Sequence, residues 1–406
     1  MSLHETASGE RIHISFFGRR NAGKSSLVNA ITGQALSVVS DVAGTTTDPV
    51  HKAMELLPLG PVMIHDTPGF DDEGALGALR VQKTRQVLAK TDIAVLVTDA
   101  GEGSLHPDEE AFLEELRSRR LPYIHVYNKA DLYAGAVHEN VGAIVVSALR
   151  GDGIEALKER LGALAASRGR DRHIVSDLLN PGDIAVLVTP IDAAAPKGRL
   201  ILPQQQTIRD ILDAGCSAFV CQDSELPGVL LALKSAPRMV ITDSQAFGRV
   251  SKMVPPAIPL TSFSILFARY KGDLLTQVRG AAALSSLRPG DRVLISEGCT
   301  HHRQCGDIGT QKLPAWIEAF VGFRPEFTFT SGGEFPEDLT PYRLVVHCGA
   351  CMLNEAEVSA RLSRAEAAGV PVVNYGVAIA HCNGILHRSL ELFPDAAAVL
   401  NGTDTV

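Results

Sequence analysis

Aromatic side chains are scarce in this chain: they make up 5% of its 406 residues, with a single tryptophan, Trp316. Positive charge is scarce as well. Lys and Arg number 38 against 46 Asp and Glu, a formal net charge of −8, and no basic run occurs. Such a balance leaves no electrostatic footprint for nucleic acid, so no nucleic-acid partner is expected. No apolar stretch of about 18–20 uncharged residues exists, so no membrane span is expected. The first residues, MSLHETASGERIHIS, lack the apolar core of a signal peptide, and a cytoplasmic protein is the expectation. Short-period repeats and low-complexity tracts are missing too. The seven cysteines are an odd number. In a reducing compartment such a set favours metal or cluster ligation over disulfides.

What is present is a long chain of ordinary globular composition, 45% hydrophobic and 21% charged. Single cores stop growing at roughly 250–300 residues, so two or three domains are expected. Residues 11–165 alternate apolar runs (IHISFFG, PVMIHDTPG, IAVLVTDA, YIHVYNKAD, AIVVSAL) with amphipathic stretches at 24–33, 77–90, 107–119 and 153–166. That alternation predicts an α/β fold, a mostly parallel sheet with helices on both faces. The polar stretch 167-SRGRDRH-173 reads as a linker. A second alternating region begins at 183-DIAVLVTPI-191 and continues through 218–222 and 238–243. The run 254-VPPAIP-259 marks a second candidate boundary. A third region carries DRVLISEG (291–298), FTFTSG (327–332), RLVVHCG (343–349) and PVVNYG (371–376). Three domains follow: 1–166, 174–253 and 260–406.

The first region holds a phosphate-binding pattern. Gly18, Gly23, Lys24 and Ser25 satisfy GxxxxGK[ST] between a strand and a helix, the context that motif requires. Backbone N–H groups of the glycine-bearing loop, with Ala22 and Ser26 in it, converge on phosphates, and the helix N-terminus adds its dipole. Lys24 reaches the outer phosphates and Ser25 supplies a hydroxyl to Mg²⁺. In 43-AGTTTD-48, Thr46 or Thr47 can join the metal shell. In 66-DTPG-69, Asp66 can hold Mg²⁺ through water and the Gly69 N–H can sense a γ-phosphate. Asn128, Lys129 and Asp131 form NKAD after a strand. A carboxylate there pairs with the N1–H and 2-amino edge of guanine, which adenine lacks. Ser147 and Ala148 fit the last base-contacting loop. Residues 11–165 therefore resemble the translation-factor-like GTPases. Phe70 follows DTPG, where Ras-like enzymes place a water-orienting Gln, so slow turnover is expected unless Asp71, Asp72 or Glu73 supplies the role. Asn21 with the TTTD stretch resembles K⁺-activated GTPases of the tRNA-modification type, in which the Asn helps ligate K⁺; its bland alternative is a loop residue tolerant of left-handed backbone.

The third region holds the chemistry of sulfur. Cys348 and Cys351 form a CxxC at the exit of an apolar strand, and Cys299 follows another. Ligands of open parallel sheets bind beyond the carboxyl ends of strands, so three thiols can converge there. With His301 and His347 nearby, the set suits a [4Fe–4S] cluster with one iron open, a closed zinc site, or buried thiols. The order Cys299-x-His301 and then His347-Cys348-x-x-Cys351, behind a K⁺-type GTPase region, resembles the HydF family, the GTPases needed to mature [FeFe]-hydrogenase. The likeness covers nearly the whole chain. It implies a [4Fe–4S] cluster on the three cysteines, a 2Fe precursor carried as cargo from two radical-SAM maturases to apo-hydrogenase, and a middle domain forming a homodimer. GTP and GDP binding would control partner exchange. Cys305 and Asp307 lie where the fourth iron partner is open. His347 is read as shaping the pocket rather than ligating, since a residue next to Cys348 on a strand points to the opposite face. Cys216 and Cys221 flank AFV in a region that reads as a buried strand, and with Cys382 they read as structural. The alternative function is a K⁺-activated GTPase of tRNA modification or ribosome assembly with zinc in its last domain.

Overall fold

The computed structural model describes residues 6–33, 50–57, 59–70, 83–102, 104–133, 142–167, 172–191, 200–298 and 307–402. They fall into two compact units, Met1–Asp171 and Arg172–Val406. All statements below concern these described residues, and the fold is α/β throughout.

The first unit is one sheet of six strands: β1 (Ile12–Phe17), β2 (Val50–Leu56), β3 (Gly60–Asp66), β4 (Ile93–Asp99), β5 (Tyr123–Asn128) and β6 (Ile144–Val145). Their order is β2-β3-β1-β4-β5-β6. β2 runs antiparallel to β3, and the other pairs are parallel. The sequence marks five of these strands by their apolar runs. It does not mark β2, whose VHKAMEL has no such run because it forms the edge.

Neighbouring side chains on a strand point to opposite faces. Phe16 accordingly joins a cluster with Leu27 and Ile31 of α1 (Lys24–Thr32) and Leu157 and Leu161 of α4 (Ile154–Ser167). Phe17 joins another with Leu88 of α2 (83–89) and Phe112 and Leu116 of α3 (Pro107–Ser118). Helices thus cover both faces, and the central strands are buried on both sides, as parallel strands require. The carboxyl ends of β1, β3, β4 and β5 open on one edge, which positions the site.

The second unit holds two four-stranded parallel sheets. One contains β7 (Ile184–Val188), β8 (Ser217–Cys221), β9 (Met239–Thr242) and β10 (Leu260–Ser262) in the order β10-β9-β7-β8. The proline run 254–259 leads directly into β10, which pairs with β9 of this sheet. The other contains β11 (Arg292–Glu297), β12 (Glu326–Ser331), β13 (Leu344–His347) and β14 (Val372–Asn374) in the order β12-β11-β13-β14. Leu187 and Ile241 of the first sheet and Ile295 and Val346 of the second belong to one continuous core.

Between them lie α8 (Phe263–Lys271), α9 (Leu274–Leu284) and α12 (Tyr375–Cys382), which contribute Phe267, Val278 and Val377 to that core. α9 approaches the sheet edge so closely that a Cβ on Gly280 would stand 1.8 Å from the Val372 carbonyl. Sequence reading takes the AFVC stretch as a buried strand. Instead β8 is an edge strand with Phe219 44% exposed, although Cys216 and Cys221 are buried.

The start of this unit is tied to α8. Arg269 donates to both carboxylate oxygens of Asp177, at 2.7 and 2.6 Å, and to the carbonyls of His173 and Ile174. Arg172 donates to the Tyr270 carbonyl and pairs with Glu355, the first residue of α11 (Glu355–Ala367).

Candidate functional site

The loop from β1 to α1 is built by backbone conformations that side chains resist. Gly18 has φ of 147° and Gly23 of 87°. A Cβ at Gly18 would lie 2.2 Å from the Val97 carbonyl oxygen, and one at Gly23 would lie 2.3 Å from Asn128 Nδ2. Asn21, exposed, is also left-handed at φ 58°, a conformation Asn tolerates better than most residues.

Within this loop Lys24 Nζ donates to the carbonyls of Gly18 and Arg19, at 2.9 and 2.7 Å. Ser25 Oγ donates to Asp66 Oδ2 at 2.6 Å. The two groups read from sequence as Mg²⁺ partners therefore meet, one from the first turn of α1 and one from the end of β3. Thr67 Oγ1 fixes the start of the DTPG turn by donating to the Phe16 carbonyl at 2.7 Å. Thr46 and Thr47 lie outside the described residues, as do Asp71, Asp72 and Glu73.

Asn128 ends β5 and ties three loops together. Its Nδ2 donates to the Ala22 carbonyl at 3.1 Å, and its Oδ1 accepts from the Ala148 N–H at 3.1 Å. Lys129, left-handed at φ 66°, pairs with Asp99 at 2.7 Å. Asp99 was not singled out by sequence, although its place at the end of β4 was a signal. Ser147 Oγ donates to Asp131 Oδ1 at 2.6 Å and accepts from the Arg150 N–H at 3.1 Å. The Asp131 carboxylate is thereby held in one orientation by the loop that follows β6. Phe70 stacks on Phe112, ring centroids 5.4 Å apart, and packs on the Phe17 cluster. It contributes packing and no polar group.

The thiol loop lies in the second unit, at the carboxyl ends of β11 and β13. Ser296 and His347 are register partners. Beyond them the Gly298 N–H donates to Cys348 Sγ at 2.9 Å, and the Ala350 N–H donates to the same sulfur at 3.4 Å. Ala350 is left-handed at φ 54°. Burial pushes the Cys348 thiol up to about 11 and raises that of Cys351, which the Lys271 charge opposes. Cys299, His301 and Cys305 lie outside the described residues.

Buried cations surround this loop. Lys271 Nζ donates to the carbonyls of Ala350, Cys351 and Leu353. Arg361, from α11, donates to the Gly332 carbonyl at 2.7 Å and to Glu357 at 2.5 Å, and lies over the Phe335 ring. Both ring nitrogens of His347 are engaged. Nδ1 bonds the Cys348 carbonyl at 2.9 Å, and Nε2 faces Arg361 Nη1 at 3.1 Å. The first contact makes Nδ1 the donor, leaving Nε2 to accept from the guanidinium. Desolvation and then the Arg361 charge lower His347 to about 4, so the ring is neutral. A small cavity of about 20 Å³ lies here, lined by Lys271, His347, Cys348, Ala350 and Arg361.

Asp307 caps a π-helical turn at Ile308–Lys312 by accepting from the Thr310 N–H and hydroxyl, both at 2.9 Å. Cys382 is half-buried in α12, and its thiol is pushed by burial up to about 12. Among the described residues, no group of three or more His, Cys, Asp or Glu is arranged to hold a metal. None of their helices is long and apolar enough to cross a membrane.

These two sites coincide with the comparisons to known proteins. The model of the 50S ribosome-binding GTPase matches residues 13–129. The tRNA modification GTPase MnmE of Xanthomonas euvesicatoria pv. vesicatoria (strain 85-10) is 39% identical over 161 residues, 39% of this chain and 35% of that protein. MnmE of Chromobacterium violaceum is 34% identical over 170 residues, 41% of this chain and 37% of that protein. The chain thus spans little more than a third of the length of these curated relatives. A solved structure, Era in complex with MgGDPNP and nucleotides 1506-1542 of 16S ribosomal RNA, is 21% identical, covers 57% of this chain and 100% of that one, and has a TM-score of 0.35. The first unit is a P-loop GTPase domain, and GTP hydrolysis is the activity such a domain carries. The second unit matches two further models, the hydrogen maturase F dimerization domain at residues 174–272 and the hydrogen maturase F tetramerization domain at 275–392. Together these two models span more than half of the chain, which belongs to the hydrogen maturase F family.

Proposed function

We propose that this chain is a GTP-controlled scaffold that binds a [4Fe–4S] cluster through Cys299, Cys348 and Cys351 and carries a 2Fe precursor to apo-[FeFe]-hydrogenase. The observation that carries the reading is the 2.9 Å bond from the Gly298 N–H to Cys348 Sγ. It sets the residue preceding Cys299 against the sulfur of the CxxC, which supports a meeting of all three thiols. The donor set also fits. A sulfur that accepts two backbone N–H bonds, in a loop held by a buried cation, suits an anionic thiolate on a cluster. When bound, a cluster on three protein thiolates leaves one iron for an exchangeable partner. His347, with both nitrogens engaged, is assigned to shaping the pocket. His301, Cys305, Asp307 and solvent are the candidates for the fourth place.

In the GTPase unit, Gly18, Asn21, Ala22, Gly23, Lys24, Ser25 and Ser26 would cradle the phosphates, and Ser25 and Asp66 would hold Mg²⁺ with Thr46 or Thr47. Asn128, Lys129, Asp131, Ser147 and Ala148 would read guanine. Lys24, Thr47, Asp66 and Gly69 would serve hydrolysis, with K⁺ beside Asn21. The Phe70 ring supplies no water-orienting group, so turnover is slow, and the nucleotide state regulates partner exchange. The division into 1–166, 174–253 and 260–406 would then be nucleotide, dimerisation and cluster domains of a cytoplasmic homodimer, meeting two radical-SAM maturases and the hydrogenase. The 39% identity to MnmE favours the second reading, a K⁺-activated GTPase of tRNA modification or ribosome assembly with zinc, but that likeness is confined to the GTPase unit.

Anaerobic reconstitution with iron and sulfide tests the choice. A broad visible absorbance bleached by dithionite is expected. A colourless protein holding one zinc would leave the second reading in its place.

A further inference from the structure

Lys271 is the last residue of α8 and is 5% exposed. Its ammonium donates to the carbonyls of Ala350 at 3.3 Å, Cys351 at 3.2 Å and Leu353 at 2.9 Å. These are three acceptors on one short loop, the CxxC turn and its exit, for the three protons of one ammonium. A peptide unit is planar and trans, so its C=O and N–H point in opposite directions. Drawing the carbonyls of Ala350 and Cys351 toward Lys271 turns the N–H groups of Cys351 and Met352 away from it. Both peptide planes adjoin the Cα of Cys351, so the ammonium fixes the backbone that carries this sulfur. Ala350 holds the left-handed φ of 54° at the same place, a conformation that persists when the surroundings enforce it.

Lys271 falls in the segment matched by the dimerization model, residues 174–272, whereas the CxxC falls in the tetramerization model, 275–392. Hydrogen bonds to sulfur and net charge near a cluster set its reduction potential.

We propose that Lys271 is a positioning residue of the iron–sulfur site: it fixes the two peptide planes on either side of Cys351 and offsets the negative charge of the thiolate-bound group. This rests on the cluster reading given above. Removing the cation favours the oxidised over the more negative reduced cluster, so the potential falls.

The full-length chain and its Lys271→Arg, Lys271→Gln and Lys271→Met variants are reconstituted anaerobically, and iron content and midpoint potential are read by EPR-monitored titration. Lys271→Met and Lys271→Gln should bind iron yet shift the reduced-to-oxidised ratio at fixed potential about tenfold toward oxidised, which is about 59 mV for one electron. Lys271→Arg should stay near wild type. If Lys271→Met does not fold, Lys271→Gln against Lys271→Arg makes the same comparison, since both keep a donor and differ in charge. Wild-type potentials in the neutral variants overturn the proposal and leave the cluster reading standing. A wild-type chain that takes up no iron overturns the cluster reading, and this proposal with it, before any variant is compared.

Discussion

The backbone N–H of Gly298 donates to the sulfur of Cys348 at 2.9 Å, joining the ends of two strands that are 50 residues apart. If the thiols flanking this contact act as one set, replacing any one of Cys299, Cys348 or Cys351 by Ser should remove most iron uptake on reconstitution. Cys216→Ser and Cys382→Ser should leave it unchanged, as one side chain is buried against the Asn180 carbonyl and the other lies in α12. GTP affinity, set in the other unit, should not move in any of the five. Iron analysis beside nucleotide titration reads both. Full uptake by Cys348→Ser would separate the sulfur contact from the metal.

Asp131 is held by Ser147 at 2.6 Å. Asp131→Asn should weaken GTP binding by about 1.5–3 kcal/mol, the worth of a hydrogen bond to a charged group, or roughly ten- to a hundredfold. Xanthine nucleotides should bind better than guanine nucleotides to this variant, because their base edge presents a carbonyl where guanine presents an amine. Ser147→Ala should weaken GTP binding less, by about 0.5–1.5 kcal/mol. Competition titrations with the two nucleotides decide it, and unchanged GTP affinity in Asp131→Asn removes the base-reading role.

Asn21 stands exposed and left-handed on the phosphate loop, φ 58°. The GTPase rate should rise when K⁺ replaces Na⁺ at equal ionic strength, and Asn21→Ala should abolish that difference while GDP affinity holds. Equal rates in both salts would return Asn21 to the role of a turn residue.

His125 is buried on β5, its Nε2 3.0 Å from Thr98 Oγ1, and desolvation lowers it to about 4. His51 is also lowered to about 4, by burial and then by the charge on Lys90. A histidine whose folded value lies below its unfolded 6.5 binds its proton more readily when unfolded. Stability of the GTPase unit should therefore be fully present above pH 6.5 and decline as the pH falls toward 4, by up to about 1.4 kcal/mol per pH unit for the buried His125 and by less for His51, whose surface is exposed and screened by solvent. Denaturant unfolding of wild type and His125→Gln between pH 7 and pH 4.5 measures the difference, and the variant should show the shallower decline. Parallel curves would assign the decline to other groups.

Arg361 is buried against Glu357 and the Gly332 carbonyl, and its guanidinium lies over Phe335. Arg361→Met strands the Glu357 carboxylate and should cost about 3–5 kcal/mol of stability in the second unit. The double variant Arg361→Met with Glu357→Gln should recover part of that loss. A thermodynamic cycle by urea unfolding measures the coupling, and strictly additive losses would show that the pair does not act as one.

The extent to which the sequence foretold this protein differs between the two units. The P-loop, DTPG and NKAD stretches are local. Each combines a strand end, a turn and a required residue type within a few positions, so periodicity and glycine placement suffice to find them. The CxxC was legible on the same terms, as a strand exit carrying two thiols. β2 was not, because an edge strand need not be apolar, and β8 was misjudged as buried because AFVC is apolar yet lies at an edge.

The amino-acid order alone determined the α/β alternation, the P-loop, DTPG, NKAD and CxxC patterns, and the chain positions at which they occur. Tertiary structure decided which distant groups meet: Gly298 with Cys348, Ser25 with Asp66, Asn128 with Ala22 and Ala148, and Lys271 with the CxxC carbonyls. Strand register and helix docking are collective results of packing a whole core. A lone lysine at the end of a helix carries no local mark of the loop, some eighty residues onward, that its ammonium will hold.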